Sequence, residues 1–346
     1  MTEARTGALL LNLGTPDSTA VSDVRRYLRE FLSDPRVIDI PRVLRWLLVQ
    51  LIIVPFRAPR SAQAYAKIWT EQGSPLLTNS RALSEAVAKE LGDTWVVELA
   101  MRYQNPNIRA ALERLAKANV DRLVVFPLFQ QYAEASTGSA LAKVHDEIAR
   151  STLSPELATI PAFYDDPGFT NAVAEVARAP LRDFDPDFVL FSYHGLPERQ
   201  IRASDRSGDH CLQRDDCCVS IVDANRDCYR AHCYATTRAV TQALELPPDR
   251  FSTSFQSRLG RTPWIQPFTD QLLPRLAARG VKRLAVICPS FTADCLETVE
   301  EIGIRGRDQW RSLGGDDLMA VPAPNSSATW SDAVVEMLRL NLPVGD

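Results

Sequence analysis

Short, almost wholly apolar runs recur along the chain, and each ends abruptly at glycine, proline or a cluster of polar residues. Such runs lie at 7–13, 95–101, 122–128 and 188–193. Apolar runs of this length without alternation are typical of strands buried on both faces of a parallel sheet. Segments with a helical repeat of apolar residues, such as 21–31, stand between them. The pattern therefore indicates βαβ units.

The same alternation of strand and helix returns in the second half of the chain, with strands at 251–255, 281–288 and 317–322. A length of 346 residues suits two domains. We therefore expect an α/β fold with two Rossmann-like lobes, four-stranded parallel sheets and an active-site cleft between the lobes. The expected boundaries are 1–165 for the first lobe, 166–325 for the second and 326–346 for a C-terminal helix.

Composition narrows the class of protein. A net charge of −4 provides no basic field for nucleic acid, so no nucleic-acid partner is expected. The first residues lack the apolar core of a signal peptide, which favours the cytoplasm.

The longest apolar run, 46–56, is too short for a membrane span, which needs about 20 residues. With its flanking arginines it predicts a buried or pocket-lip helix within 40–75, or light contact with a membrane surface.

Titratable residues collect where the predicted strands of the second lobe end, which is where open α/β sheets bind ligands. His194 follows a buried strand, and an imidazole there can accept a proton or bind a metal. Asp294, Glu297 and Glu301 are spaced so that an α-helix would carry all three on one face, whereas Glu300 would be an ordinary surface charge. Either feature alone also fits a structural role, a hydrogen-bonded histidine or a solvated first turn.

Six motifs, in order along the chain, resemble those of the ferrochelatases, enzymes that insert ferrous iron into a porphyrin at the end of haem synthesis. They are the segments 9–16 (LLLNLGTP), 101–106 (MRYQNP), 126–132 with 136–139 (FPLFQQY, STGS), 192–197 (SYHGLP), 255–258 with 263–264 (FQSR, PW), and 291–297 (FTADCLE). Taken alone, Ser136–Ser139 would be a helix N-cap or a weak anion site. The resemblance implies a chelatase-like fold and insertion of Fe²⁺ into protoporphyrin IX.

The resemblance also implies residue roles. His194 and Glu297 would lie on opposite faces of the porphyrin, contact the Fe²⁺ substrate and take up the pyrrole protons. Asp294 and Glu301 would extend a metal path, although Arg305 stands at the next position and Cys295 replaces a histidine of many relatives. The same resemblance implies contact with the preceding haem-pathway enzyme and with the inner face of the cell membrane. The implied porphyrin contacts are Leu13, Arg57, Tyr65, Ser74, Arg102, Tyr103, Trp264 and Phe291.

Five of the seven cysteines fall within a segment at 203–233 that a minimal ferrochelatase lacks. They are Cys211, Cys217, Cys218, Cys228 and Cys233. Clustered thiolates favour an iron–sulfur cluster or zinc, and the spacing is not that of a zinc ribbon. Some ferrochelatases hold a [2Fe–2S] cluster, so we expect one on four of these five, with zinc or free thiols as alternatives. Adjacent Cys217 and Cys218 are expected to point in different directions.

Two other functions compete with ferrochelatase. A cobalt or sirohydrochlorin chelatase is usually shorter and lacks the motifs around Arg102, Tyr103 and Trp264. A haem-binding protein without turnover would be two-lobed as well. Metal insertion by the purified protein separates these classes.

Overall fold

The computed structural model describes residues 5–258, 260 and 262–343. Clustering of internal contacts divides the chain into two compact units. The first unit comprises the residues up to Phe129, Glu134–Pro161 and the residues from Ser331 onward, and the second comprises Gln130–Ala133 and Ala162–Trp330.

Strands and helices alternate throughout the described chain. In the first half these are β1 (Thr6–Gly14), α1 (Val21–Ser33), α2 (Arg42–Leu47), a π-helical stretch (Leu48–Ile53), α3 (Val54–Ile68), α4 (Pro75–Leu91), β2 (Trp95–Tyr103), α5 (Ile108–Lys117), β3 (Arg122–Pro127), a π-turn (Glu134–Gly138), α6 (Ser139–Ile148) and β4 (Glu156–Thr159). They are followed by α7 (Pro167–Phe184), β5 (Phe188–His194), α8 (Glu198–Ala203), a 3₁₀ turn (Asp223–Asn225), α9 (Tyr229–Ala243), a 3₁₀ turn (Pro248–Arg250), β6 (Phe251–Gln256), α10 (Thr269–Ala278), β7 (Arg283–Ile287), a π-helix (Leu296–Gly306), α11 (Arg307–Ser312), β8 (Asp317–Ala320) and α12 (Ala328–Leu340).

The sheet of the first unit has the strand order β2–β1–β3–β4, with every neighbouring pair parallel. Strand β1 is buried at every residue except Leu13, because helices cover both faces of the sheet, as the unbroken apolar run predicts. Strand β4 is absent from the sequence prediction. It has only four residues and is half-exposed at the sheet edge, so no apolar run marks it.

The sheet of the second unit has the order β6–β5–β7–β8 and is again parallel. His194 ends β5 and lies in register with Gln256, the last residue of β6. Two four-stranded parallel sheets flanked by helices confirm the predicted fold class.

Two glycines shape the strand ends at which the predicted site residues lie. Gly14 has φ of +118°, and a Cβ there would lie 2.0 Å from the carbonyl oxygen of Tyr103. A Cβ on Gly195 would lie 2.9 Å from the carbonyl oxygen of Gln256 and 3.3 Å from the Trp264 ring. Neither position accepts a larger residue without movement of the backbone or the ring. These glycines therefore allow β1 and β5 to end in tight contact with their neighbours.

The acidic segment after β7 is a π-helix, so the prediction of three carboxylates along one α-helical face is wrong. The helix begins at Leu296, and Asp294 precedes it. Hydrogen bonds in a π-helix join residues five apart, which leaves residues four apart close to one face. Glu297 and Glu301 therefore share a face, and Arg305 follows four residues later. The prediction for Glu300 is also wrong, because it is 3% exposed and pairs with Arg305 at 2.7 Å.

The apolar run near residue 50 lies on the segment from α2 to α3 and is exposed rather than buried in the core. Only Val49, Val54 and Ala58 of its inner face are fully buried. The exposed apolar side chains of this segment are Val43, Leu44, Trp46, Leu47, Leu51, Ile52 and Phe56. Among the described residues, no helix is both long enough and apolar enough to cross a membrane.

Candidate active site and cysteine segment

His194 is held with one ring nitrogen ready to accept a proton. Its Nδ1 lies 2.7 Å from the carbonyl oxygen of Gly195. Because a carbonyl can only accept, Nδ1 must carry the hydrogen of the neutral ring, and the lone pair is on Nε2. The main-chain N–H of His194 donates to Ser290 Oγ at 3.1 Å. The imidazole is partly exposed at the end of β5, so it can meet a substrate.

Gln256 links the strand of His194 to the start of the π-helix. Its side chain is 5% exposed and accepts a hydrogen bond from Ser192 Oγ at 2.6 Å. Its Nε2 donates to the carbonyl oxygen of Glu297 at 3.2 Å. The main-chain carbonyl oxygen of Gln256 accepts from the Gly195 N–H at 2.7 Å. Gln256 therefore contacts both the strand that ends at His194 and the first turn of the π-helix.

Glu301 on the π-helix has a pKa that the fold raises above its ordinary value. Burial first, and then the charge of Glu297, raise the pKa of Glu301, whereas a hydrogen bond from Ser257 and the charges of Arg305 and His194 oppose the rise. The site therefore contains an acid that retains its proton to a higher pH than an ordinary glutamate. These interactions also place Glu297 and His194 within electrostatic reach of Glu301.

Asp294 lies apart from these two glutamates and has a structural role. Its two carboxylate oxygens accept hydrogen bonds from Thr298 Oγ1 at 2.9 Å and Asn325 Nδ2 at 2.8 Å. It thereby fastens the start of the π-helix to the loop after β8. The neighbouring Cys295 is buried, and burial together with the charge of Glu297 raises the pKa of its thiol well above the ordinary value.

The two aromatic residues implied as pocket walls are both partly exposed in the second unit. Trp264 pairs through its backbone with Pro197, just beyond His194, and its ring packs over Gly195. Phe291 packs against the apolar core that includes Trp310. Both rings therefore have one face supported by protein.

In the first unit, Arg102 and Tyr103 converge on a buried carboxylate, Asp34, which the sequence analysis missed. Arg102 Nη2 donates to Asp34 Oδ2 at 2.6 Å and Tyr103 Oη donates to the same oxygen at 3.0 Å. Ser139 Oγ also donates to it and accepts from Arg102 Nε at 2.7 Å. Burial alone would raise the pKa of Asp34, but the hydrogen bonds from Ser139 and the Arg36 N–H and the charge of Arg102 lower it.

This network corrects the N-cap prediction for the Ser136–Ser139 segment. The hydroxyl of Ser139 bonds Asp34 rather than the start of α6, and no described side chain caps that helix. Tyr103 is fully buried, whereas the Arg102 side chain keeps 14% of its surface exposed.

The other residues implied as porphyrin contacts in the first unit differ in exposure. Leu13 is partly exposed and Arg57 is exposed. Tyr65 is buried against the rings of Tyr27 and Trp69, and Ser74 is buried and accepts a hydrogen bond from Thr15 Oγ1 at 2.9 Å.

The cysteine segment folds largely without regular structure and is organised by two side chains. Asp205 accepts hydrogen bonds from the N–H groups of His210 and Cys211 at 2.8 and 2.7 Å. Asn225, fully buried, donates to the carbonyl oxygens of Cys217 and Ser220 at 2.7 and 2.9 Å. Such hydrogen bonds from Asp and Asn side chains to the nearby backbone take the place of the backbone–backbone hydrogen bonds of helices and sheets.

Four thiols of this segment form a contiguous buried group. The Sγ atoms of Cys217 and Cys218 lie 3.6 Å apart, so the expectation that they point apart is wrong. Cys228 interacts with both Cys211 and Cys218, and the interaction with Cys211, followed by burial, raises the pKa of Cys228 to about 11. The fifth thiol, Cys233, is hydrogen-bonded to Tyr229 instead.

Arg230 places a positive charge beside this thiol group. Its Nη1 lies 3.0 Å from Cys218 Sγ and 3.7 Å from Cys217 Sγ. Its Nε is buried and has no hydrogen-bond partner within the described part of the chain. Among the residues that the structure describes, no three His, Cys, Asp or Glu side chains converge closely enough to hold a metal ion. All seven cysteines are free thiols.

Among solved structures, the fold is similar to that of a chelatase. The sirohydrochlorin chelatase SirB from Bacillus subtilis subspecies spizizenii, in complex with cobalt, matches with a TM-score of 0.52 and 12% identity, over 97% of this chain and 94% of that one. SirB from Bacillus subtilis with Fe³⁺ gives a TM-score of 0.50 and 13% identity over the same shares. At this identity the likeness shows the fold alone, which is that of the chelatase class.

Comparison of sequences goes further than comparison of folds. The ferrochelatase family model matches residues 5–342. The ferrochelatase of Coxiella burnetii (strain Dugway 5J108-111) is 45% identical over 97% of this chain and 94% of its own length. That of Legionella pneumophila (strain Lens) is 46% identical over 97% and 99%. The chain belongs to the ferrochelatase family, which confirms the predicted metal-inserting lyase.

Proposed function

We propose that this protein inserts Fe²⁺ into protoporphyrin IX to form protohaem, with His194 and Glu297 as its catalytic residues. Membership of the ferrochelatase family supports the reaction. The observation that supports these two residues is their placement: a histidine with an available Nε2 and two glutamates are grouped at the strand ends of one sheet. In parallel α/β sheets this end of the strands is where ligands bind.

The chemistry of the reaction needs both a base and ligands for the metal. The free porphyrin carries two pyrrole N–H groups, so one Fe²⁺ enters as two protons leave. His194 Nε2 accepts a proton as general base. Glu297 supplies carboxylate oxygen to the incoming Fe²⁺, which accepts nitrogen and oxygen ligands in the same site. Charge balances because two protons leave for each divalent ion that enters.

Glu301 extends this site along the π-helix as the second carboxylate of a metal path. It lines a cavity of about 250 Å³ together with Ser257, Arg258 and Asp270. Its raised pKa makes it suited to receive a proton from the reaction centre and to exchange it with solvent. Asp294 is the other residue that the family resemblance implies for the path, but both of its carboxylate oxygens already hold protein donors. We therefore assign the path to Glu301.

The porphyrin would be bound by two kinds of residue. Leu13, Trp264 and Phe291, each partly exposed, offer apolar and aromatic surface to the macrocycle. Arg57, which is exposed, offers a guanidinium group to the propionates, whereas the guanidinium of Arg102 is held by Asp34 and Ser139 and only its remaining exposed surface would contact the porphyrin. Tyr65, Ser74 and Tyr103 are buried, so they would support the pocket from behind.

Metal insertion by the purified protein tests the proposed reaction and separates it from the two alternatives. With protoporphyrin IX and Fe²⁺ under anaerobic conditions, we expect the absorption spectrum of protohaem to appear with multiple turnovers. Sirohydrochlorin should be metallated much more slowly. Preference for sirohydrochlorin would instead identify a sirohydrochlorin chelatase. Haem binding without turnover would identify a carrier.

We also propose that the cysteine segment holds a [2Fe–2S] cluster, with Cys211, Cys217, Cys218 and Cys228 as its ligands. Four thiolates are the usual ligand set of such a cluster. These four thiols are buried and contact one another in sequence, whereas Cys233 is engaged by Tyr229. The side chains would need to rotate toward a common centre, because among the described residues they do not converge on one point.

The charge around the thiols supports this proposal. Binding a cluster deprotonates its ligands, so negative charge builds up in a buried place. Arg230 already points its guanidinium at two of the sulfurs and has a buried Nε–H to spare. A cation in this position compensates the charge of the ligands and hydrogen-bonds their sulfurs. Burying the N–H donors of an arginine in an apolar core without oxygen acceptors would be costly, so this arginine indicates a negatively charged partner.

Visible absorption at roughly 300–550 nm and metal analysis test the cluster and its ligands. Anaerobically purified protein should contain two irons and two acid-labile sulfides per chain. Cys228→Ser should lose both, while Cys233→Ser should retain them. Cys288→Ser, which changes a buried thiol outside the segment, is the matched control. A colourless protein that contains zinc, or a cluster lost in Cys233→Ser but kept in Cys228→Ser, would contradict the assignment.

The exposed apolar side chains of α2, the π-helical stretch and α3 support a peripheral membrane contact. Among them Trp46 and Phe56 are 56% and 73% exposed. Exposed Arg42, Arg57 and Arg60 flank them. An apolar face with a basic rim is typical of helices that lie at the surface of an anionic bilayer. A location at the inner face of the cell membrane, and receipt of porphyrin from the preceding enzyme, are proposed on this basis.

A further inference from the structure

We infer that Tyr229 is a positioning residue for His194, and that through it the cysteine segment sets the geometry of the active site. The inference rests on the proposed role of His194. Nothing in the sequence motifs marks Tyr229, which lies 35 residues after His194 on the first turn of α9. The inference deepens the proposed function because it connects the cluster of four cysteine thiols to the proton-accepting imidazole of His194.

The contacts of Tyr229 form a closed set around the main chain of residue 194. Its Oη donates to the carbonyl oxygen of His194 at 2.8 Å and lies 3.0 Å from Ser290 Oγ. Ser290 Oγ in turn accepts the N–H of His194 at 3.1 Å. Both backbone polar groups of His194 are therefore held by this pair of hydroxyls. The position matters because β5 ends at His194, and the next main-chain bond, from the Gly195 N–H to the carbonyl oxygen of Gln256, leaves the carbonyl oxygen of His194 to Tyr229.

Tyr229 is placed by the cysteine segment on one side and by α9 on the other. It follows Cys228 directly, and the buried thiol of Cys228 interacts with those of Cys211 and Cys218. It is followed directly by Arg230, which contacts the sulfurs of Cys217 and Cys218. The Tyr229 side chain is 7% exposed and also contacts Cys233. A change in how the thiols are arranged would thus move the residue that carries the Tyr229 hydroxyl.

Placement of a general base matters because proton transfer requires hydrogen-bond reach to the substrate N–H. A displacement of about 1 Å at a catalytic group can cost on the order of 10²-fold in rate. Tyr229 does not touch the reacting atoms in this scheme. Its effect should therefore fall on kcat, through the position of His194, and much less on KM for the porphyrin.

Tyr229→Phe tests the inference, with Tyr193→Phe as the matched control. Tyr193 is also buried, and its hydroxyl contacts Thr237 Oγ1 at 2.8 Å. Each variant removes one buried tyrosine hydroxyl, that of Tyr229 with two partners and that of Tyr193 with one, so both should lower the melting temperature. Only Tyr229→Phe should lower kcat, by roughly threefold to tenfold, which corresponds to about 0.65 to 1.4 kcal/mol. The KM for porphyrin should change less than about twofold.

A spectroscopic readout separates positioning from loss of stability. In protein with ¹⁵N-labelled histidine, the ring signals of His194, assigned with His194→Ala, should shift in Tyr229→Phe and stay unchanged in Tyr193→Phe. Cys228→Ser should also shift them, and the shift should be smaller when Tyr229→Phe is already present. Equal shifts in both backgrounds would show that the cysteine segment acts on His194 by another route.

Two results overturn different parts of the account. If His194→Ala is inactive but Tyr229→Phe retains the wild-type kcat and histidine signals, the inference fails and the proposed function stands. If His194→Ala keeps full activity, the proposed function fails first, and the role of Tyr229 with it.

Discussion

At the scale of single residues, the candidate active site contains groups whose properties depend on burial. Glu301 is partly buried, with 22% of its side chain exposed, and faces the charge of Glu297. Both effects favour the protonated carboxyl, and they outweigh the hydrogen bond from Ser257 and the attraction of Arg305 and of His194 in its protonated form. An acid with a raised pKa in a site that releases protons is a natural acceptor for them.

The raised pKa of Glu301 predicts a pH-dependent stability difference. A carboxyl whose pKa rises on folding stabilises the folded state fully below its ordinary value of 4.5, and that contribution is lost as pH rises through the folded pKa. Glu301→Gln removes this titration but keeps an oxygen for Ser257. Relative to the wild type, the melting temperature of the variant should therefore rise as pH increases from about 4 to about 8, by on the order of a few degrees.

Thermal unfolding followed at several pH values measures this effect. Glu113→Gln, which changes an exposed glutamate on α5, is the control and should show a constant difference from the wild type. A melting-temperature difference for Glu301→Gln that stays constant or shrinks with rising pH would contradict a raised pKa.

The residues differed in how far sequence could identify them. His194 was predictable because a strand of apolar residues stops there at Gly195 and Pro197. Asp34 and Tyr229 were not, since their roles arise from contacts with residues 68 and 35 positions away, respectively, and neither stands in a chemical motif. Where a side chain acts through another residue, its sequence neighbours give little indication of it.

At the scale of elements, the strands of the central sheets followed the sequence most closely. Unbroken apolar runs identify strands that are buried on both faces, whereas the edge strand Glu156–Thr159 carries no such signal. The prediction based on α-helical spacing was wrong for Leu296–Gly306, because this segment is a π-helix whose hydrogen bonds join residues five apart. In the π-helix, which begins after Asp294, the buried carboxylate of Glu300 pairs with the exposed guanidinium of Arg305.

The element formed by α2, the π-helical stretch and α3 makes a prediction about membranes. Wild-type protein should float with vesicles that contain anionic lipid, because its exposed apolar side chains can enter the headgroup region. Replacing both Trp46 and Phe56 by serine should reduce binding roughly tenfold or more, since each loses its apolar burial in the bilayer. Thermal stability should hardly change, because both side chains are mostly exposed.

Vesicle flotation compares this variant with Val219→Ser, which removes an apolar side chain that is 69% exposed in the cysteine segment. The control should bind as the wild type does. Equal binding by all three proteins, or binding by none of them, would remove the basis for a membrane-contacting lip.

At the scale of the whole molecule, the fold class followed from the sequence because two series of βαβ units leave few other arrangements. Each unit also has a distinct part in the proposed chemistry. The first contains the network of Arg102, Tyr103 and Asp34, and the second contains His194, Glu297 and the cysteine segment. Membership of the ferrochelatase family covers both units, since the family model matches residues 5–342.

The central claim is that His194 accepts a proton during metal insertion. Its most direct test is the initial rate of Zn²⁺ or Fe²⁺ insertion into protoporphyrin IX by His194→Ala, with His145→Ala on α6 as the matched control. General base catalysis contributes on the order of 10²- to 10⁴-fold, so His194→Ala should lose at least about 100-fold in kcat while His145→Ala keeps the wild-type rate. A rate for His194→Ala within about twofold of the wild type would contradict the account.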